Sequence, residues 1–296
     1  MFRKLTICII LVALGLAAGS ALAAFENVPV SPRARGMGET GVAVPDGVYA
    51  TALNPSHLGS WTTGGLAASY VRPFGVNYAD FVHLGAAVPL SPKDGAIGIS
   101  LSKYTVDYTG VRLADETQLT FGYGRSLYKD LHSSVDIGAS VNMYHLKFGE
   151  SISGIKPGND TALGLDLGML LTLHRRTHVA FMIKNMNNPQ IGIDEEELGQ
   201  RLTGAVSYIP YDGVVTTFEI DNELGQDVQY HGGLEMVMVE GFALRAGVIT
   251  NPSKLTAGFG YQAQGFSVDY GFSTGGGTLT STHQFGVRFA WGGEAQ

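Results

Sequence analysis

The chain has 296 residues, of which 15 % are charged, 45 % are hydrophobic and 41 are glycine. This composition excludes a disordered chain, because it can bury ample apolar surface, and the glycines lack the three-residue period of collagen. The formal net charge of −7 counts against nucleic acid as the main partner.

Residues 1–23 predict a cleaved export signal. Arg3 and Lys4 precede an apolar core from Leu5 to Leu16, and Ala21-Leu22-Ala23 forms a small-x-small cleavage site. The apolar run is too short for a lasting membrane helix. The single cysteine, Cys8, lies inside this segment, so we expect the mature chain to contain no disulfide.

Residues 24–62 predict a packed plug rather than a linker, because linkers seldom carry an apolar cluster such as Met37, Val42 and Val44. Glycines in this segment permit tight turns and close packing, and Asn54-Pro55 predicts a turn before the first strand. Gly36, Gly38 and Gly41 also match the spacing of a dinucleotide-binding loop. That interpretation fails, since no strand precedes the loop and the chain is exported.

Residues 63–291 alternate between apolar and polar with period two, which is typical of β-strands. No stretch after the export signal is apolar for long enough to form a membrane-crossing helix, which leaves a closed barrel as the way to cross. Fourteen segments follow the pattern: 63–73, 80–89, 95–105, 116–125, 134–147, 161–173, 177–185, 200–209, 213–221, 228–238, 241–250, 254–262, 265–273 and 281–291.

Three features favour an all-β, 14-stranded antiparallel transmembrane barrel over a soluble sandwich, whose strands would also alternate. The polar face is mostly small and uncharged, and an even strand count returns both termini to the periplasm. The connections also alternate between tight and long, as in outer-membrane barrels. The longer ones are predicted at Val106–Asp115, Phe148–Asp160, Met186–Gly199, Asn222–Asp227 and Thr274–Thr280.

Charged residues on the lumen face are nearly balanced in sign, which indicates internal ion pairs across a filled lumen. A charge-selective pore would instead show a ring of one sign. Structural bracing is the favoured interpretation, and a polar path that opens on demand is the alternative. The predicted lumen-facing charges are Asp136, Asp166, Lys184, Arg201, Glu219, Glu235, Arg245, Asp269 and Arg288.

The sequence predicts no catalytic site, no metal site and no cofactor. No G-x-S-x-G motif is present, and His174 and His178 straddle a turn, so they share no helical face. His83 and His231 are expected to face inward as hydrogen-bonding spacers. We interpret the acidic run from Asp194 to Glu197 as a solvated loop.

The last strand carries Phe285, Val287, Phe289 and Trp291 on one face. This aromatic alternation resembles the signal that the outer-membrane barrel assembly machinery reads, although such signals usually finish on the aromatic and here a tail, 292–296, follows. We therefore expect outer-membrane lipid and the assembly machinery as partners, and localisation in a bacterial outer membrane.

The N-terminal segment resembles the start of the FadL-like and PorV/PorQ outer-membrane barrels. Their pattern runs A-R-x-x-G-M-G-G-A-x-V-A-V-x-D-D, followed by A-T-x-x-N-P-A-G-L. Here Glu39-Thr40 replaces Gly-Ala, Gly47 replaces the second Asp, and Ser56-His57 replaces Ala-Gly. The resemblance implies a plug or hatch at the barrel bottom, whose motif residues here are Arg35, Gly36, Met37, Gly38, Gly41, Asp46, Asn54, Pro55 and Leu58.

Two functions follow from the resemblance. The FadL-like family implies passive uptake of hydrophobic small molecules through a hatch and a lateral wall opening, with an apolar ligand as the partner. The PorV/PorQ family implies an accessory of type IX protein secretion or surface attachment, with a secretion-system protein as the partner; the short loops favour this compact form. A purely structural barrel is a third alternative. Gly122, Gly124, Gly258 and Gly260 fit either a kinked wall or room for the plug.

Overall fold

A computed structural model describes residues 25, 27–91, 93–149, 158–192, 194–275 and 279–292. The predicted export signal and residues 293–296 of the predicted tail lie outside these ranges. None of the helices in the described ranges is both long enough and apolar enough to cross a membrane.

Fourteen antiparallel strands form a closed barrel in which the first strand pairs with the last, from Gly64 opposite Trp291 to Arg72 opposite His283. Each of the fourteen predicted segments corresponds to one of these strands. They are β1 (Gly64–Arg72), β2 (Ala79–Ser91), β3 (Gly95–Tyr108), β4 (Val111–Lys129), β5 (Ser134–Phe148), β6 (Asn159–Leu173), β7 (Thr177–Lys184), β10 (Arg201–Tyr208), β11 (Val214–Glu223), β12 (Gln229–Val239), β13 (Phe242–Ile249), β14 (Lys254–Ala263), β15 (Phe266–Ser273) and β16 (Thr282–Trp291).

The connections divide the barrel into two ends. The turn end holds the first residue of β1, the last residue of β16 and the short connections that follow β2, β4, β6, β10, β12 and β14. The loop end holds the other connections, including residues 185–200. That connection contains a small two-stranded sheet of β8 (Gln190–Ile191) and β9 (Glu196–Glu197), so the predicted acidic loop is partly a strand.

One predicted loop is wrong. Residues 106–115 form a tight hairpin rather than a long connection, because β3 runs to Tyr108 and β4 starts at Val111. The two turn residues, Thr109 and Gly110, have φ of 52° and 80°, as a type I′ turn requires. The polar Asp107 and Arg112 of this stretch form an ion pair on the hairpin, and the apolar Tyr108, Val111 and Leu113 are exposed beside them.

The outer face of the barrel is apolar and its lumen is largely polar, which is the opposite of the arrangement in a soluble protein. Leu66, Ile99, Phe121 and Phe285 point outward with about half of their surface exposed, and similar side chains follow the whole circumference. Apolar exposure on this scale marks a membrane contact. Serines, threonines and charged groups occupy many of the inward positions, beside the apolar Val71, Phe81, Leu170 and Met182, and residues 27–62 pack among them.

Candidate functional site

The plug fills the lumen with four short helical turns. They are α-helices at Pro32–Gly36 and Ala50–Leu53 and 3₁₀ helices at Gly47–Tyr49 and Pro55–Leu58. The Ser31 hydroxyl caps the first helix by accepting from the Ala34 amide. Asn54 caps the last one, since its Oδ1 accepts from the Ser56 amide at 3.1 Å. The predicted turn at Asn54-Pro55 is thus a helix start.

The wall residues that face the plug are often glycine because the two backbones nearly touch. A Cβ added to Gly124 would lie 2.6 Å from the Pro55 carbonyl oxygen, and one on Gly138 would overlap the Pro55 backbone. A Cβ on Gly258 would lie 3.1 Å from the Gly36 Cα. These wall glycines therefore make room for the plug, which decides between the two interpretations left open above for Gly122, Gly124 and Gly258.

The predicted plug residues are brought together inside the lumen. Met37, Asn54 and Leu58 are fully buried, and Arg35 and Asp46 are each 4 % exposed. Arg35 donates from Nε to Gln284 Oε1 at 2.6 Å and from Nη1 to Ser273 Oγ at 3.1 Å. The buried guanidinium of Arg35 is thus paired with side chains of the wall, as a polar group in an interior requires. The remaining motif residues, Gly36, Gly38, Gly41 and Pro55, lie in the same packed segment.

A chain of alternating charges joins the plug to the wall, and both of its ends belong to the plug. The ion pairs run Arg33–Glu235 (2.6 Å), Glu235–Arg245 (2.6 Å), Arg245–Asp269 (2.7 Å), Asp269–Arg288 (3.1 Å) and Arg288–Asp46 (3.2 Å). Three cations and three anions therefore neutralise one another inside the barrel. We name these six residues the charge chain.

The other predicted lumen charges are also inward. Arg201 binds Asp221 at 2.6 Å and Glu223 at 2.5 Å, and Asp166 accepts from Asn142 Nδ2 at 2.8 Å. Lys184 makes no ion pair within 4 Å to any described residue.

Besides Glu235 of the charge chain, two further inward carboxylates bind the plug. Glu219 Oε2 accepts from the backbone amides of Gly41 and Val42, each at 3.1 Å. Asp136 accepts from the Ser60 hydroxyl at 2.8 Å.

His57 is a neutral hydrogen-bonding spacer within the plug. Its Nδ1 accepts from the Asp46 amide at 3.4 Å, and its Nε2 lies 2.9 Å from the Val42 carbonyl oxygen. Burial lowers the pKa of His57 to about 4, since desolvation disfavours the charged imidazole. Burial also raises the pKa of Asp46, against the opposing effect of Arg288.

The inward histidines of the wall are spacers as well. His231 Nδ1 lies 2.7 Å from the Gly38 carbonyl oxygen, and His83 Nδ1 lies 2.8 Å from the Ser102 hydroxyl. No cluster of three or more potential metal ligands occurs in the ranges that the structure describes.

Above the plug, the loop end of the lumen holds an apolar compartment. Tyr144 and Leu146 of β5 face inward and pack with Ile191 and Leu198 of the loop, and the ring of Phe25 lies 4.9 Å from that of Tyr144. Ala162 completes the cluster. We name Phe25, Tyr144, Leu146, Ala162, Ile191 and Leu198 the loop-end compartment; the chain fills it with its own phenylalanine.

An apolar groove of about 430 Å³ lies on the outer face of the wall, across β16 and β1–β4. Small residues there, Ala68 and Ala86, lie among the larger Leu66, Ile99 and Phe289. Behind them, on the lumen side, a Cβ on Gly65 would lie 4.0 Å from the Val48 Cβ of the plug. The plug therefore approaches the backbone of β1 and β2 closely on the lumen side, since a Cβ on Gly85 would also lie 2.4 Å from the Val48 carbonyl oxygen.

Sequence reasoning missed several of these residues. Arg33 has no periodic pattern around it that could reveal its partner Glu235. Asp221 is not among the predicted lumen charges, although alternation places it on the same face as Glu219. Phe25, Ile191 and Leu198 lie outside the alternating segments. Only the apolar character of Ile191 and Leu198 in an otherwise polar loop could have indicated the compartment.

The aromatic face of the last strand points outward. Phe285, Phe289 and Trp291 are each about half exposed, and β16 ends at Trp291. That the barrel assembly machinery recognises these aromatic residues stays a prediction.

No family model and no curated protein matches this chain. Solved structures similar in fold include the CymD monoaromatic hydrocarbon channel, with a TM-score of 0.61 at 14 % identity over 90 % of this chain and 98 % of that chain. The Pseudomonas putida toluene transporter TodX has a TM-score of 0.61 at 12 % identity, over 90 % of this chain and 99 % of that chain. A Pseudomonas aeruginosa FadL homologue has a TM-score of 0.58 at 10 % identity, over 91 % of this chain and 99 % of that chain. The chain therefore has the closed 14-stranded fold of FadL-like outer-membrane barrels.

Proposed function

We propose that the protein carries hydrophobic small molecules passively across a bacterial outer membrane. The observation that carries the proposal is the loop-end compartment, where an apolar side chain of the chain itself, that of Phe25, packs against an apolar cluster at the loop end of the lumen. A site that accepts Phe25 fits an apolar molecule of similar size. The hydrocarbon and toluene channels of similar fold support this substrate class.

The orientation follows from the connections. Outer-membrane barrels place short turns in the periplasm and longer loops outside, so the loop end faces the exterior and the compartment is the entry side. The plug then lies between the compartment and the periplasm. The outer groove over Ala68 and Ala86 supports a sideways exit to the membrane, since its lining is apolar and it faces lipid.

The test is entry of 1-N-phenylnaphthylamine, an apolar fluorophore that intact outer membranes exclude, into cells that carry the protein. Cells with the wild-type chain should take up the dye faster than cells without it. Leu198→Glu places a charge in the compartment, where Leu198 is 3 % exposed, and should abolish the gain. The matched control is Leu224→Glu, because Leu224 lies at the same end but is 56 % exposed. Equal uptake by both variants would contradict the proposal.

A further inference from the structure

One sector of the turn end, from β4 to β7, carries four exposed cations. We name them the turn-end cations: Arg125, Lys129, Arg175 and Arg176. Among the described residues, only Arg176 has a carboxylate partner, Asp212 at 3.1 Å. Asp130, the acid on the same rim, accepts from the Leu131 amide instead. A chain with a formal net charge of −7 therefore gathers unneutralised positive charge in this sector.

Two of these cations fix the turns around them. Arg175 donates from its backbone amide to the His132 carbonyl oxygen at 2.9 Å and from Nε to the Leu131 carbonyl oxygen at 2.6 Å. On the other side, Arg176 donates from Nη1 to the Ile209 carbonyl oxygen at 3.2 Å, and its own carbonyl accepts from the Ile209 amide at 2.8 Å. The turn between β6 and β7 is thus joined to both neighbouring turns.

These bonds hold the Arg175 guanidinium in one orientation. His174 and Arg175 have φ of 52° and 58°, and no other adjacent pair of non-glycine residues in the described ranges has positive φ. Glycine adopts this region most readily, so an arginine here depends on the bonds that hold it. Because Nε binds a carbonyl, Nη1 and Nη2 are left without a hydrogen bond to any described residue. Two such parallel donors match the oxygens of a phosphate.

The surroundings of the turn-end cations are those of a membrane interface. Arg125 alternates with Tyr123 on the outward face of β4, so its side chain starts from the lipid-facing wall. Leu173 and Tyr208, at the ends of β6 and β10, are also outward and are 42 % and 48 % exposed. Tyrosines and long cationic side chains are typical of the level at which lipid headgroups lie. A cation on the lipid-facing wall favours a lipid over a protein as the partner.

We infer that this sector binds the headgroup of an anionic phospholipid in the periplasmic leaflet. The leaflet follows from the placement of the turn end in the periplasm. Arg175 binds the phosphate through its two Nη groups, while Lys129 and Arg125 add positive charge from the end and the outer face of β4. The acyl chains lie along the apolar outer wall beside Leu173 and Tyr208. The inference does not depend on the transport of any molecule.

The test is native mass spectrometry of the purified protein in a mild detergent, with phosphatidylglycerol or phosphatidylcholine of the same acyl chains added at equal concentration. Both lipids carry a phosphate, but only phosphatidylglycerol has a net negative charge. Arg175→Gln removes the paired donors. Lys129→Glu reverses a charge that lies outside the bonds between the turns, so it decides the inference even where Arg175→Gln does not fold. The matched control is Lys93→Glu, an exposed cation on the turn between β2 and β3 at the same end.

The wild type should retain phosphatidylglycerol in preference to phosphatidylcholine. One cation near a membrane surface changes binding by roughly fivefold, so Arg175→Gln should weaken retention of phosphatidylglycerol by about that factor and Lys129→Glu by at least as much. Lys93→Glu should leave retention unchanged. Equal retention of the two lipids by the wild type, or of phosphatidylglycerol by Lys129→Glu and Lys93→Glu, would overturn the inference. An acidic periplasmic protein that the wild type binds without any lipid preference, and that Lys129→Glu loses, would overturn it in favour of a protein partner.

Discussion

Removing the centre of the charge chain should destabilise the protein strongly. The Arg245 side chain is 4 % exposed and forms ion pairs with Glu235 at 2.6 Å and with Asp269 at 2.7 Å. Arg245→Met keeps most of the apolar volume but leaves three carboxylates facing two guanidinium groups. Loss of one partner of a buried pair costs about 3–5 kcal/mol. Glu235 keeps its ion pair with Arg33, and Asp269 keeps its ion pair with Arg288. We therefore expect the free energy of unfolding to fall by about 3 kcal/mol, at the lower end of this range.

The assay is equilibrium unfolding by guanidinium chloride in detergent micelles, with the free energy of unfolding obtained by linear extrapolation. A loss of about 3 kcal/mol corresponds to roughly a hundredfold fall in the folding equilibrium constant. The control is Arg72→Met. The side chains of Arg72 and its partner Asp80 are 52 % and 41 % exposed, so this substitution should leave the unfolding midpoint unchanged. Equal midpoints for the two variants would refute the reasoning that the chain is a buried network.

The remaining predictions concern the plug. Gly138→Ala should speed hydrogen exchange of the amides of residues 50–60, because the added Cβ would overlap the Pro55 backbone. The control is Gly204→Ala, whose Cβ would lie 3.7 Å from the Phe181 side chain and should leave the exchange unchanged. Unchanged exchange in both variants would contradict the close approach of the plug to Gly138. The pKa of His57 lies near 4 in the folded protein, below its usual 6.5, so the unfolded chain binds the proton first. Stability should therefore fall as the pH drops from about 6.5 to about 4, by up to about 1.4 kcal/mol per pH unit. His57→Gln should reduce that slope in unfolding measurements between these pH values, and an unchanged slope would show that His57 is not the group responsible.

The strands could be predicted from the sequence because a membrane barrel imposes opposite solvents on its two faces. In β15, Val268 faces lipid, and Asp269 faces the lumen as a member of the charge chain. The alternation in hydropathy alone therefore predicts the period of the strand. The prediction of a loop at 106–115 was wrong because the alternation continues through the hairpin of β3 and β4. Tyr108, Val111 and Leu113 are exposed there, and Asp107 and Arg112 between them form a surface ion pair.

The site could be predicted only in part. The inward direction of Glu235, Arg245, Asp269 and Arg288 follows from alternation, but their partner Arg33 lies in a segment without period. The loop-end compartment depends on contacts between Phe25, Tyr144 and Leu198, which are far apart in the sequence and carry no local signal. A role as a secretion accessory remains a prediction from the N-terminal resemblance.

The most direct measurement is native mass spectrometry of the protein extracted gently from its own outer membrane. The wild-type protein should contain a population that retains an apolar small molecule, and Leu198→Glu should lose that population while Leu224→Glu keeps it. A stoichiometric complex with an exported protein, with no small molecule retained by either variant or by the wild type, would contradict it.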